Sequence, residues 1–327
     1  MDSVRIILKK PFYLGLLILS LILLAITPRF AQPYSIISMI TILMYVTLTL
    51  SWTIFSGPTH YISLATATFF GVGVYVSAIL GGTLPLVALA GLGGLVGFIL
   101  ALFIGLLTLR LKGIYFILFT FGASALLRHS ILWWETHITG TVGRFVLSPG
   151  HTTAYYFILG IFAITLLTAY FISQSKFGLA LKSIGENEEA AAHIGINVTL
   201  VKIVTFALSA TFMGATGAVM ATRWTYIDPV IAFNPLISFL PVLMAIFGGT
   251  GRLLGPILGA AIFTILQEFL ITQYPYYFML LMGTTLILVI LFLPNGLAGL
   301  TDEGMHRFNQ TTWGKKAWWN RKGYKHA

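Results

Sequence analysis

The stretch LPLVALAGLGGLVGFILALFIGLL, residues 84–107, decides the fold class of this chain, because it contains no charged side chain. A helix needs about 20 mostly apolar residues to cross the hydrocarbon core of a bilayer. Comparable apolar runs occur at 13–26, 35–55 and 279–293. The sequence therefore predicts a chain that crosses a membrane several times.

Composition and charge support this prediction. The 327 residues are 57% hydrophobic and 9% charged, whereas a soluble domain carries about 25% charged residues. The formal net charge of +10 is spread between the apolar runs and near the C-terminal end, which argues against a nucleic-acid groove. Lys and Arg at such positions are typical of the cytoplasmic ends of spanning helices. Cysteine is absent, so disulfides and Cys metal sites are excluded.

We expect an all-α integral membrane protein of about ten transmembrane helices, some short or interrupted, with both termini in the cytoplasm. The predicted spans are 12–27, 35–55, 61–80, 84–107, 114–131, 153–173, 202–222, 235–248, 253–272 and 276–293. This arrangement places 15 of the 19 Lys and Arg residues on the cytoplasmic side, as the positive-inside rule requires. We divide the chain into a transmembrane domain, 1–300, which includes a cytoplasmic loop at 174–201, and a basic cytoplasmic tail, 301–327.

Two segments are irregular. The stretch 57–82, which contains the predicted span 61–80, is rich in Gly, and the span 235–248 is short and bounded by Pro and Gly. Interrupted helices at membrane depth occur where protein or a cavity covers the freed backbone groups. One interpretation is a substrate path, and the other is close helix packing. The candidate path residues are Ser63, Thr66, Phe69, Phe70 and Gly71. The glycines assigned to packing are Gly91, Gly93, Gly94 and Gly97.

The longest polar stretch before the tail is residues 174–201, here called the connector. Its sequence predicts a short helix over 186–195, capped either by Ser183 with Glu186 or by Asn187 and ended by Gly195. Apolar side chains on this helix would stay partly exposed unless something covers them. A soluble partner and the chain's own helices are both possible covers.

The string GLALKSIGENEEAAAHIGINVTLVKIVTFALSA, residues 178–210, resembles the cytoplasmic coupling loop of the LivM-type permeases of branched-chain amino acid ABC importers. The resemblance extends over about residues 45 to 300. Further segments match in the family's order, namely LRLKGIYFILFTFGASALLR at 109–128, FMGATGAVMA at 212–221, FGGTGRLLGPILGA at 247–260 and PNGLAGL at 294–300.

The resemblance implies a permease subunit in a bacterial inner membrane that works with several partners. These would be a second related permease, two cytoplasmic ATPase subunits and an extracytoplasmic substrate-binding protein. The residues that would contact an ATPase are Glu186, Asn187, Glu188, Glu189, Ala190, Ala191 and Gly195. The chain has no phosphate-binding loop of the G-x-x-x-x-G-K-[ST] type. ATP and Mg would therefore be bound by the partner ATPases, and we expect no catalytic or metal-binding residues here.

The sequence departs from the family in GPTHYISLATATFFGVG, residues 57–73. His60 and Tyr61 stand where the family pattern has Gly-Gln, and Ala65 and Thr66 stand where it has Gly-His. TGTVGRF, residues 139–145, also differs from its family counterpart. His60 either contacts cargo or is an interfacial histidine that bonds to backbone. These departures leave the substrate open among hydrophobic amino acids, urea or amides, and small aromatic acids.

Two other classes of protein compete with an ABC permease. An ion-coupled secondary transporter usually buries charged residues near the midplane, and Glu268 is the acid well inside a predicted span. Its place near the outer end favours contact with water instead. A membrane enzyme has little support, since no paired carboxylates, metal-ligand cluster or nucleophile motif occurs. A non-transporting membrane scaffold stays open.

Overall fold

A computed structural model describes residues 21–30, 32–146, 150–251 and 253–278, with 280, 281, 283, 284 and 287 beyond them. Most of the first and last predicted spans, the boundary at residue 300 and the predicted tail lie outside the described residues. The helices are α1 Pro33–Thr59, α2 Thr66–Leu80, α3 Leu86–Thr108, α4 Ile114–Trp134, α5 His151–Gln174, α6 Lys176–Glu186, α7 Glu188–His193, α8 Val198–Met220, α9 Pro229–Ala232, α10 Leu236–Gly248 and α11 Leu254–Gln273. Short helical turns cover Thr27–Arg29, Glu135–Thr139 and Ala221–Arg223.

Within the described ranges, seven helical segments are long and apolar enough to cross a membrane. They coincide with the predicted spans from 35–55 to 253–272, apart from the span at 61–80. There the structure has the shorter helix α2, which begins only at Thr66. The fold is thus an all-α membrane protein, whereas the total of ten spans and the cytoplasmic termini stay predictions.

The nonhelical segment between α1 and α2, residues 60–65, is here called the break. Its backbone groups bond to side chains of neighbouring helices. The indole Nε1 of Trp52 donates to the carbonyl of Ser63 at 2.8 Å, and the hydroxyl of Thr120 accepts from the amide of Leu64 at 3.1 Å. A backbone group left unpaired in an apolar interior costs several kcal/mol. The interruption predicted within 57–82 is therefore present and is covered by protein.

Helix α8 lies at the centre of the bundle and packs on α2 and α3 through glycines. A Cβ at Gly93 would lie 2.8 Å from the carbonyl oxygen of Gly214, and one at Gly97 would lie 2.9 Å from that of Ala210. The backbones of α3 and α8 therefore touch directly, as small residues permit in membrane helices. The packing role predicted for Gly91 is wrong, because Gly91 is exposed and nothing lies within 4 Å of its Cβ position.

The two ends of the bundle differ. One end carries the connector helices α6 and α7, and it is here called the connector end. The opposite end carries two short strands, β1 Arg144–Phe145 and β2 Tyr226–Ile227, which pair antiparallel. The positive-inside rule predicts that the connector end faces the cytoplasm.

Gly93→Ala and Gly91→Ala make a matched pair on α3 that tests the glycine contact. We expect Gly93→Ala to lower the free energy of unfolding by about 1–3 kcal/mol, because the new methyl meets rigid backbone. Gly91→Ala should be neutral or stabilise by up to about 1 kcal/mol, since Ala is the better helix former. Thermal unfolding of both variants in one detergent measures this, and equal midpoints would contradict it.

Candidate functional site

The connector consists of two short helices joined at Asn187. The side chain of Asn187 accepts hydrogen bonds from the amides of Glu189 at 3.1 Å and Ala190 at 3.0 Å, which caps α7. Of the two predicted caps, Asn187 is therefore the correct one. Ser183 forms no capping box, because its hydroxyl donates to the carbonyl of Leu179 within α6. The predicted helix 186–195 is accordingly shorter and covers Glu188–His193.

One face of the connector packs against the chain itself. Leu181, Ile184, Ala191 and Val201 form a small buried cluster. Ala191 is only 2% exposed, so α7 cannot present this residue to a partner. Of the two covers that the sequence left open, the chain's own helices apply to Ala191, because α6 and the start of α8 enclose it.

Glu188 also points inward, to a network of polar groups at the connector end. Its carboxylate forms an ion pair with the ammonium of Lys202 at 2.8 Å, and the hydroxyl of Tyr61 donates to it at 2.6 Å. Lys202 donates a further hydrogen bond to the carbonyl of Leu109 at 3.0 Å. The Lys202 side chain is 3% exposed. A buried ammonium of this kind requires such a full set of acceptors.

The charge state of Glu188 follows from these contacts. Burial raises the pKa of its carboxyl group, but the hydrogen bonds from Lys202 and Tyr61 act in the opposite direction and leave the pKa below its ordinary value. Glu188 is therefore ionised at neutral pH. Because the folded-state pKa is depressed, its contribution to stability is present above the unfolded pKa of about 4.3 and is lost as pH falls through the folded pKa.

The other face of the connector is open. The exposed residues among those predicted to contact an ATPase are Glu186, Asn187, Glu189, Ala190 and Gly195. Ile194, next to Gly195, is 73% exposed. We call residues 186, 189, 190 and 194 the outer face of the connector. The chain's own helices thus cover one face of α7 and leave the outer face exposed.

The candidate path residues lie inside the chain. Phe69 contacts the ring of Phe206 edge-on at 5.4 Å between centroids, and Phe70 contacts Trp224 edge-on at 6.3 Å. A Cβ at Gly71 would lie 2.5 Å from the ring of Phe233. All these contacts are with α8 or with residues that follow it. A substrate could pass this region only if α2 moved relative to α8.

The polar members of the candidate path lie around the start of α2. Ser63 is 5% exposed and Thr66 is 1% exposed. The hydroxyl of Thr66 has no hydrogen-bond partner among the described residues. The neighbouring amide of Ala67 donates to the hydroxyl of Ser238 on α10 at 3.0 Å. With Trp52 of α1 and Thr120 of α4, side chains from three other helices therefore surround the start of α2.

A second polar cluster, at the opposite end, was not predicted. Glu135 is fully buried and receives the amide of Gly143 at 3.0 Å and the hydroxyl of Tyr75 at 3.4 Å. Arg144 lies 3.5 Å from its carboxylate and 5.2 Å from the ring centre of Trp134. The signal in the sequence was the departure at 139–145, which contains Arg144.

These features define the class of the protein, which is a polytopic α-helical integral membrane protein with a short helical connector at one end. Residues 34–290 match the protein family described as "Branched-chain amino acid transport system / permease component". The chain belongs to this family, and it is accordingly the permease component of a transport system in a bacterial inner membrane. The resemblance noted at the connector is thus confirmed for most of the chain.

Individual relatives are also permease proteins, and their sequence identity to this chain is modest. The high-affinity branched-chain amino acid transport system permease protein LivM of Escherichia coli is 24% identical over 92% of this chain and 79% of the relative. The Salmonella typhimurium LivM protein is 24% identical over 88% of this chain and 75% of the relative. The autoinducer 2 import system permease protein LsrC of Salmonella paratyphi B is 28% identical over 61% of this chain and 59% of the relative. No solved structure matches the chain.

Lys202→Met tests the buried ion pair. We expect it to lower the free energy of unfolding by about 3 kcal/mol, because Glu188 is left without its cation in a poorly solvated position. Adding Glu188→Gln should recover part of this loss. Thermal unfolding in detergent measures both, with Lys182→Met on the exposed side of α6 as the control that should change stability by less than about 0.5 kcal/mol.

The same variants check the pH dependence. The native protein should lose stability as pH falls below about 5, and the double variant should lose less over that range. Equal slopes in the two proteins would contradict the assignment of this loss to Glu188.

Proposed function

We propose that this chain is the permease subunit of an ATP-driven importer and that the outer face of its connector docks on a cytoplasmic ATPase subunit. The observation that carries the proposal is the division of α7 into two faces. Glu188 and Ala191 fix the helix to the bundle, and the outer face remains free for a partner. A docking element must be held rigidly from behind if it is to transmit force.

The chemistry of the outer face indicates what kind of partner fits. Ala190 leaves a narrow helix surface that can enter a cleft, and Ile194 supplies an apolar anchor at its end. Glu186 and Glu189 are both exposed, so the rim of the partner site should be basic. ATP and Mg would be bound by two such ATPase subunits, and the permease would not hydrolyse ATP itself.

The remaining partners follow from membership in the family. A second, related permease would complete the translocation path, and an extracytoplasmic binding protein would deliver the substrate to the end opposite the connector. The spans that the structure describes carry few charged residues, which argues against a strongly charged cargo. We therefore propose a small hydrophobic amino acid, most simply a branched-chain one.

Other cargoes on the same machine remain as alternatives. Besides the LivM proteins, the relatives include one named as an autoinducer 2 permease and one named as a ribose import permease, from Haemophilus influenzae, 24% identical over 38% of this chain and 41% of the relative. Urea, amides and small aromatic acids are the alternatives that the sequence raised. Uptake into proteoliposomes with the cognate binding protein and each labelled compound would decide among them.

An ion-coupled mechanism has less support from the acidic residues near the bundle. Glu268 on α11 accepts hydrogen bonds from the hydroxyls of Tyr34 and Ser38 on α1, so it joins two helices. Glu135 is neutralised by Arg144. Both carboxylates thus already have partners within the chain, which makes them poor candidates for a coupling ion. Transport by the purified permeases that continues without ATPase subunits would overturn our proposal.

Ile194→Asp tests the docking surface. We expect it to reduce ATPase association at least about tenfold, since a carboxylate replaces an anchor that becomes desolvated on binding. Ile138→Asp is the matched control, because Ile138 is 63% exposed and lies at the opposite end of the bundle. Co-purification with the ATPase subunits measures association, and thermal unfolding checks that both variants are folded. Equal association of both variants would contradict the docking proposal.

Thr66→Val tests the candidate path. The substitution removes a buried hydroxyl that has no partner within the described residues, so thermal stability should hold or rise. We expect transport to fall several-fold if the substrate uses this hydroxyl, since a lost hydrogen bond costs about 0.5–1.5 kcal/mol. Thr108→Val is the control, because Thr108 is equally buried and its hydroxyl is likewise without a partner there. Unchanged transport in Thr66→Val would remove Thr66 from the path.

A further inference from the structure

We infer that Tyr61, supported by His60, is a positioning residue that couples movement of the connector to movement of α2. The inference rests on the proposed function, since it takes an ATPase to move the connector. It concerns the two residues that replace Gly-Gln of the family pattern. Both lie in the break, directly before the helix that carries the candidate path.

Tyr61 joins the connector to the core of the bundle. Its hydroxyl donates to Glu188 on α7 at 2.6 Å, and the ammonium of Lys202 lies 4.6 Å from its ring centre. The ring packs edge-on against Phe116 of α4 at 5.4 Å and near Phe55 of α1 at 6.4 Å. One side chain thus has its polar end on α7 and its ring among the membrane helices.

His60 makes a second, independent link. Its Nδ1 lies 3.2 Å from the carbonyl oxygen of Gly185, near the end of α6, and so donates a hydrogen bond to it. A Cβ at Gly185 would collide with the carbonyl of Pro58, so the ends of α1 and α6 are in direct contact. Of the two interpretations of His60, the structure supports the histidine that bonds to backbone.

The links continue from the break into α2. Helical backbone hydrogen bonds reach the break only at its two ends, from the amide of His60 to Ser56 and from the amide of Phe69 to Ala65, so the position of its middle depends on the groups at its two sides. On one side are Glu188 and Gly185 of the connector. On the other side, Ser63 and Ala67 bond to Trp52 and Ser238. A displacement of α7 therefore acts on the first turn of α2 through Tyr61, because both ends of this path are held by direct hydrogen bonds.

A link that moves α2 would matter for transport in this chain, because α2 is tightly packed. Gly71 and Phe70 touch residues that follow or belong to α8, so passage of a substrate requires relative movement of these helices. The hydrogen bond from the Tyr61 hydroxyl to Glu188 joins α7 directly to the break at 2.6 Å. We therefore place the transmission of force at this hydroxyl.

Tyr61→Phe in the assembled transporter is the direct test. It keeps the ring contacts and removes the two hydrogen bonds of the hydroxyl, the one to Glu188 and the one from Lys202 at 3.3 Å. We expect association with the ATPases and ATP hydrolysis to persist, whereas substrate transported per ATP falls at least about fivefold, the low end of measured coupling between sites. Tyr155→Phe is the control, because it removes a hydroxyl that bonds to the carbonyl of Leu24 at the opposite end. An unchanged ratio in Tyr61→Phe overturns the inference.

A labelling experiment separates positioning from mere stability. The chain contains no cysteine, so Ser63→Cys provides a single reporter at the entrance of α2. We expect ATP to change its rate of reaction with a thiol reagent in the assembled transporter, and this change to be largely lost when Tyr61→Phe is added. An ATP-dependent change of equal size in both backgrounds overturns the inference. If the native permease fails to bind ATPases at all, the proposed function itself falls.

His60→Gly is a second variant for which stability and function should move apart. Glycine adopts the left-handed backbone at residue 60 without steric cost, so the thermal midpoint should hold or rise. The ratio of transport to ATP hydrolysis should nevertheless fall, because the bond to Gly185 is lost. A ratio equal to that of the native protein would show that His60 does not support Tyr61.

Discussion

The structure depends above all on the need to pair every backbone polar group that lies at membrane depth. Most of the described chain meets this requirement within helices. The break meets it partly through Trp52 and Thr120, and Ser238 pairs the amide of Ala67 in the first turn of α2. These three side chains come from three different helices. Each of these bonds also fixes a helix to the start of α2. The same requirement that makes an interrupted helix expensive therefore determines how α1, α4 and α10 are arranged around it.

The connector is subject to a similar constraint from charge. Lys202 enters the bundle at the start of α8 and is almost fully buried, so it needs acceptors close by. Leu109 supplies a carbonyl and Glu188 supplies a carboxylate. Because Glu188 begins α7, satisfying Lys202 also fixes the direction of that helix and decides which of its faces is exposed. The outer face is thus a consequence of neutralising one ammonium group.

Hydropathy and length predicted the spans well, because each span is a local property of the sequence. The connector helix and its cap at Asn187 were also predictable, since capping involves neighbouring residues only. The roles of Glu188 and Ala191 were not, because their inward direction depends on Tyr61 and Leu181, which belong to other helices or loops. Glu135 was missed for the same reason, since its partner Tyr75 is 60 positions earlier in the chain. Pairing across the bundle leaves no periodic pattern to detect.

His60 shows how two departures from a pattern can depend on each other. Its φ of 60° places a non-glycine residue in the left-handed region, where side chains other than Asn or Asp are disfavoured by about 1–2 kcal/mol. The family pattern has glycine there. This chain accepts the strain, and the imidazole gains the carbonyl of Gly185. That carbonyl is within reach only because residue 185 is itself a glycine packed on Pro58. The contact that supports Tyr61 therefore rests on the histidine that replaces glycine at position 60 and on the glycine present at position 185.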